Sequence, residues 1–163
     1  MIFVLTGKGK GKTTSAVGMG IRAAGAGKAV LMIQFLKDGS SSENKAIAKI
    51  RNFKVKAFGR KGFAPYGDKD RALAKKALDF LRKEIGGFQM AILDEINVAL
   101  DKKMVEIGEI VPILEKYGKS KDLVLTGRNA PAVIVKKADL VTEFKEVKHY
   151  FNKGIKAKKG IEY

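Results

Sequence analysis

The stretch Thr6-Gly7-Lys8-Gly9-Lys10-Gly11-Lys12-Thr13-Thr14 decides the fold. It follows an apolar run, Ile2-Phe3-Val4-Leu5, whose length suits a buried strand. It leads into Ser15 to Ala24, a run rich in small residues that reads as a helix ending at Gly25. Strand, glycine loop, Gly-Lys-Thr and helix make the layout of a phosphate-binding loop. Glycines let backbone N–H groups turn inward and cradle phosphate oxygens. The helix N-terminus adds unpaired donors and partial positive charge. Every residue from Gly7 to Thr14 is therefore a candidate for the phosphates. Lys12 reaches a phosphate in such a loop, and the Thr13 hydroxyl ligates Mg²⁺. The spacing is unusual. The ordinary pattern places a glycine five residues before Gly11, where this sequence has Thr6, so the loop counted from Gly7 is one residue short. A plain glycine-rich turn is the competing reading, and the coincidence of strand, Gly-Lys-Thr and helix argues against it.

Further along, Phe88 to Leu93 is a second apolar run that ends on Asp94-Glu95. An open parallel sheet binds ligands at the carboxyl ends of its strands. Asp94 and Glu95 are thereby candidates to hold Mg²⁺ or its waters beside the phosphate loop. A solvated acidic turn is the alternative for that pair taken alone.

The rest of the chain alternates strands and helices. Lys28 to Phe35 reads as a buried strand, and Ser42 opens a short helix with Ala46, Ile47 and Ile50 on one face. Phe53, Val55 and Ala57 alternate with Lys54 and Lys56, as in a more exposed strand. Gly59 to Gly67 is an aromatic-bearing loop, and Asp68 is placed to cap the next helix. Leu73, Ala77, Phe80, Leu81 and Ile85 share one face of that helix, which Gly86-Gly87 ends. Met104 to Tyr117 reads as helical, with Gly108 and Pro112 delaying or kinking it. Asp122 to Thr126 is a strand with Gly127-Arg128 at its carboxyl end, where Arg128 is a candidate phosphate contact. Ala130 to Lys137 is a short helix with Pro131 in its first turn, and Ala138 to Phe144 is the last strand. The tail from Lys145 reads as loose surface. The pattern predicts one α/β domain over residues 1–163, with a mostly parallel central sheet flanked by helices.

Composition bounds the function. Apolar residues make up 45% and charged residues 31%, which excludes a disordered chain. No cysteine is present, so disulfides and thiolate metal sites are excluded, and a reducing cytoplasmic setting fits. No apolar run approaches membrane-spanning length, and with the first strand beginning at the second residue no targeting peptide is expected. The single histidine, His149, has no second histidine with which to build a metal cluster. Lys and Arg number 33 against 17 acidic residues, a net charge of +16 that attracts polyanions. Nucleic acid and nucleotide triphosphate both fit that charge. The lysines are spread along the whole chain, which argues against a dedicated nucleic-acid arm.

Taken together, the motifs resemble a family, the P-loop-type corrinoid adenosyltransferases. The blocks that carry the resemblance are Gly7 to Thr14, Gln34-Phe35-Leu36-Lys37, Gly62-Phe63, Leu93-Asp94-Glu95-Ile96-Asn97-Val98-Ala99-Leu100, Leu125-Thr126-Gly127-Arg128-Asn129-Ala130-Pro131, Val147-Lys148-His149 and Lys159-Gly160-Ile161-Glu162. The shortened phosphate loop is a feature of that family. The resemblance implies a RecA-like fold, often a homodimer. It implies transfer of the 5′-deoxyadenosyl group of ATP to cobalt(I) of a reduced corrinoid, with Mg²⁺ present and tripolyphosphate released. It implies Lys12 and Phe63 as catalytic residues, and Phe63, Tyr66 and Asn97 as facing the corrinoid. A reducing partner such as a flavodoxin is implied as well, with no membrane and no specific nucleic acid. Cobalt(I) carries no proton to remove, so such chemistry needs no general base. It needs orientation and stabilisation of a departing polyanion.

The sequence departs from the family pattern in places. Pro65 stands where a second aromatic is usual, with Tyr66 one residue later, Asn129 stands for glycine, and Lys158 for glutamine. The N-terminal segment that covers the site in longer relatives is absent from this sequence, so more open corrinoid access is expected. Two rival classes remain: a RecA-like nucleic-acid-dependent ATPase and a non-catalytic nucleotide-binding module.

Overall fold

A computed structural model describes residues 1–62 and 65–162. Its strands are β1 (Ile2–Thr6), β2 (Val30–Phe35), β3 (Phe53–Phe58), β4 (Met90–Asp94), β5 (Asp122–Thr126) and β6 (Leu140–Glu143). Its α-helices are α1 (Lys12–Gly25), α2 (Ser42–Ile47), α3 (Asp68–Glu84), α4 (Ile96–Asp101), α5 (Ile107–Tyr117) and α6 (Ala132–Lys137). The strands form one sheet in the order β3-β2-β4-β5-β1-β6, and every pairing is parallel. The expected α/β fold with a parallel sheet is what forms.

Parallel strands covered on both faces are apolar throughout, and β2 and β4 are buried at every position. Alternate side chains go to opposite faces. Leu31, Ile33, Phe35, Ala91 and Leu93 meet α3, α4 and α5 on one face, while Val30, Met32, Met90 and Ile92 meet α1 and α2 on the other. Helix α1 lies very close to the sheet. A methyl group at Gly20 would stand 2.6 Å from the Phe53 ring and 2.9 Å from Ile92 Cδ1. That closeness is why a glycine sits in the middle of a helix, despite its conformational cost.

Several boundaries differ from the sequence reading for identifiable reasons. Helix α3 buries Ala77 and Leu81 of the expected face, and Ile85 just beyond it, and adds Ala74 and Leu78, while Leu73 and Phe80 are only half-buried. Asp68 is the first residue of α3 and not its cap. Asp70 does that work, accepting the Gly67 N–H at 3.0 Å. Helix α5 starts at Ile107, later than Met104, because Glu109 accepts the Glu106 N–H at 2.9 Å and fixes the entry there. Pro131 precedes α6 in an extended conformation and does not lie in its first turn. Helix α4 is an element the sequence reading did not contain. It is bracketed by Glu95 and Lys103, both at positive φ (62° and 55°).

Candidate functional site

The carboxyl ends of all six strands point to one edge, and the loops after them carry the chemistry. A cleft of about 1080 Å³ runs along this edge. The phosphate loop, Lys37, Tyr66, Glu95 and Arg128 all line it. Small-molecule sites are typically about 300–1,000 Å³, so the cleft has room for more than a nucleotide.

The loop from Gly7 to Gly11 turns through two left-handed glycines, Gly7 at φ 99° and Gly11 at φ 115°. A methyl at Gly7 would meet the Phe144 carbonyl, because the chain leaving β6 lies directly against the loop. Gly9 donates its N–H to that carbonyl at 2.6 Å. Helix α1 begins at Lys12 with no side-chain cap and no acidic residue in its first turn. Its first ladder bond is Ser15 N–H to Gly11 O at 2.8 Å, which leaves the Lys12, Thr13 and Thr14 amides ahead of the ladder. Lys12 is buried and curls back over the loop. Its ammonium donates to Gly7 O at 2.8 Å and Gly9 O at 2.7 Å. Burial lowers its pKa and Arg128 adds to the lowering, while Glu95 and Asp94 oppose it. Lys8 and Lys10 are exposed and also line the cleft.

Opposite the loop, Asp94 is fully buried at the end of β4 and is the hub of the polar network. Its Oδ1 accepts from the Thr13 hydroxyl at 2.8 Å and the Thr126 hydroxyl at 2.7 Å. Its Oδ2 accepts from the Lys37 ammonium at 2.7 Å. Thr126 in turn accepts the Glu95 N–H at 3.0 Å, which holds Glu95 in its left-handed conformation. Burial raises the Glu95 pKa, and the Asp94 charge raises it further against Lys37, Lys12 and Arg128. Burial disfavours the Lys37 ammonium, but Asp94 outweighs that and the Lys37 pKa is raised.

The donors around Asp94 fit Mg²⁺ in kind. They are the Thr13 hydroxyl and two carboxylates, hard oxygen ligands suited to that ion. Among the described residues no group of three or more His, Cys, Asp or Glu could hold a metal. A divalent cation bound here would have to draw most of its ligands from phosphate and water, as Mg²⁺ ordinarily does.

Asn97 is not on the cleft. It is fully buried, and its amide donates to Gly127 O at 3.4 Å, under the turn that carries Arg128. The reason is α4, which turns Asn97 back toward β5. Arg128 itself is exposed on the cleft wall. Asn129 adopts φ 56°, a left-handed conformation that asparagine tolerates better than most residues, which accounts for its standing in a glycine's place. Phe63 lies outside the described residues. The loop that carries it is tied at both ends: Arg60 grips Asp70 through two bonds of 2.9 and 2.6 Å, and Asp70 holds Gly67. Tyr66, from the same loop, is 42% exposed on the cleft.

The tail does not run loose as expected. Gly160, Ile161 and Glu162 return to line the cleft with His149. Lys10 donates to Ile161 O at 2.6 Å and pairs with Glu162 at 3.3 Å. Lys37, Thr126 and Glu162 are the site residues that residue-by-residue reading missed. The signal for them is that they fall in three blocks of the family resemblance, Gln34 to Lys37, Leu125 to Pro131 and Lys159 to Glu162.

Residues 1–163 match the family described as ATP:corrinoid adenosyltransferase BtuR/CobO/CobP. The chain belongs to that family. It is 36% identical over 171 residues to a corrinoid adenosyltransferase of Sinorhizobium sp., a match covering all of this chain and 80% of that protein. It is 34% identical over 173 residues to a corrinoid adenosyltransferase of Pseudomonas aeruginosa, covering all of this chain and 83% of the relative. The Escherichia coli K12 corrinoid adenosyltransferase is 31% identical over 167 residues, again over all of this chain and 85% of that protein. Among the described residues no helix is long and apolar enough to cross a membrane.

Glu95 offers a test that needs no substrate. Its folded-state pKa is raised, so the protonated form favours the folded state. That contribution is present in full below the unfolded value of about 4.3 and is lost as pH rises through the folded value. Glu95→Gln is therefore expected to raise the Tm of the nucleotide-free protein near neutral pH, with the advantage vanishing in acid. Thermal melts across pH 3.5–8 check this, and a Tm difference independent of pH counts against it. In turnover assays the same variant is expected to need more Mg²⁺.

Proposed function

We propose that the chain transfers the 5′-deoxyadenosyl group of ATP to cobalt(I) of a reduced corrinoid and releases tripolyphosphate. The observation that carries this reading is the whole-chain family match, and it is supported by a cleft lined by Lys8 to Thr14 and Arg128. Cobalt(I) supplies the electron pair for the new Co–C5′ bond, and the C5′–O bond breaks with its pair going to the triphosphate. No proton moves in that step. The chain's work is to hold the triphosphate and aim C5′ at cobalt.

Lys12, the α1 amides and Arg128 are the groups for the departing polyanion, whose charge grows as the bond breaks. Thr13, Asp94 and Glu95 would hold Mg²⁺, which would supply further charge neutralisation to the leaving group. Phe63 and Tyr66 belong on the corrinoid side of the cleft in this reading. The Arg60–Asp70 tie steadies the loop that presents them. We also propose that the enzyme is a cytoplasmic homodimer served by a flavodoxin-like reductase. The outer edge of β6, where Leu140 and Val141 are exposed, supports the dimer.

The decisive experiment is anaerobic incubation with ATP, Mg²⁺ and chemically reduced cobalamin, following the corrin spectrum and the phosphate products. Tripolyphosphate with adenosylated corrinoid supports the proposal. ADP and phosphate, stimulated by nucleic acid, would replace it with the ATPase reading. Phe63→Ala sharpens the corrinoid assignment. Turnover from cobalt(II) reduced by a protein partner is expected to collapse, while turnover from pre-reduced cobalt(I) falls less. An equal loss in both assays with a lowered Tm would return Phe63 to ordinary packing.

A further inference from the structure

The Lys37 ammonium sits 2.7 Å from Asp94 Oδ2 and 3.4 Å from the Thr13 hydroxyl. These are two of the three groups proposed above to hold Mg²⁺. We propose that Lys37 is a built-in stand-in for the divalent cation, occupying its place in the nucleotide-free chain and excluding free metal until phosphate arrives. This rests on the proposed nucleotide site, and it assigns a role to a residue that reading leaves without one.

Three features of the chain support it. The first is a charge requirement. Asp94 has no exposure to water, and a buried carboxylate needs a compensating cation at all times. Its Oδ1 is already satisfied by two hydroxyls, so Oδ2 is where that cation must sit. The second is mobility confined to the side chain. The Lys37 backbone is clamped: Leu36 before it adopts φ 58°, its N–H bonds to Phe58 O at 3.1 Å, and Gly59 packs so tightly on the Leu36–Lys37 peptide that no Cβ fits there. The four-carbon stem, by contrast, reaches the cleft and is 28% exposed. A flexible stem on a fixed root lets the ammonium leave Asp94 without moving the sheet. The third is competition. The protein offers a bare Mg²⁺ few oxygens, well short of six, and that ion dehydrates reluctantly. An ammonium already in place wins until phosphate oxygens complete the shell. Once displaced, Lys37 remains in the cleft as a positive charge near a polyanion.

Removing the stand-in should therefore create metal binding where there was little. The experiment titrates Mn²⁺, and separately Mg²⁺, into the nucleotide-free protein by calorimetry and by Tm shift. Wild type is expected to bind weakly and show no Tm shift. Lys37→Met is expected to bind at least about tenfold more tightly and to gain Tm with metal. Adding Asp94→Asn to that variant should abolish the gain. Lys37→Gln keeps a donor to Asp94 without the charge, and is expected to behave like Lys37→Met while packing more conservatively. Lys37→Arg should behave as wild type. Equal metal affinity in wild type and the uncharged variants overturns the proposal, as does tight metal binding by wild type alone or a gain that survives Asp94→Asn. None of these readouts involves corrinoid or adenosyl transfer, so a failed transferase assay and a failed stand-in are told apart.

Discussion

Lys12→Ala is expected to lower kcat/KM for adenosyl transfer by about a hundredfold or more, a loss of about 2.7 kcal/mol or greater in transition-state stabilisation. Lys12 is the positive charge closest to the loop interior, pinned between Gly7 O and Gly9 O at the first turn of α1. In that position it faces whatever anion the α1 amides bind. The charge developing on the leaving triphosphate is greatest in the transition state, so kcat should fall with kcat/KM and not only KM rise. Lys12→Arg should rescue little, because a broad planar guanidinium does not fit where a compact ammonium contacts two loop carbonyls. The fold should survive, since what Lys12 bonds to is loop backbone and not the sheet. Tripolyphosphate release from pre-reduced corrinoid at saturating ATP is the measurement. Near-normal turnover there would remove the loop from the catalytic reading.

Much of this site was legible because its signals are local. The phosphate loop is one contiguous run between a strand and a helix, and Asp94-Glu95 ends an apolar strand. Each can be read without knowing the sheet order. What sequence did not reveal depends on that order. Lys37 and Asp94 are 57 residues apart, and Thr126 is 32 residues beyond Asp94. They meet because β4 lies between β2 and β5, a topology no residue pattern states. Helix α4 escaped notice for a different reason. It is six residues long, too short to show a helical period, and it is framed by two non-glycine residues in left-handed conformations. The tail was misjudged by the general rule that termini are loose. The Lys10 contacts that tie it to the phosphate loop span 151 residues and leave no local trace.

Asp94→Asn is expected to be the most damaging single change in the network, and to fail in two separable ways. Asparagine keeps the shape and can still accept from Thr13 and Thr126. It removes the negative charge, so Lys37 is left without its counterion at a mostly buried position. Breaking a buried pair by neutralising one partner costs about 3–5 kcal/mol, and the low end applies because Lys37 can turn toward water. A loss of that size should lower Tm by about 10 °C. Activity should fall as well, by about a hundredfold or more at temperatures where the variant is folded, because the proposed cation site loses the carboxylate that also holds Thr13. A double-mutant cycle separates the two effects. Asp94→Asn with Lys37→Met removes both charges and should recover most of the lost Tm, since an uncharged pair has no stranded ion. It should recover none of the activity. If the double variant melts as low as Asp94→Asn, the instability arises from the hydroxyl network and not from the ion pair. If it regains activity, Asp94 serves only to hold Lys37, and the cation must be bound through Glu95 and Thr13 alone.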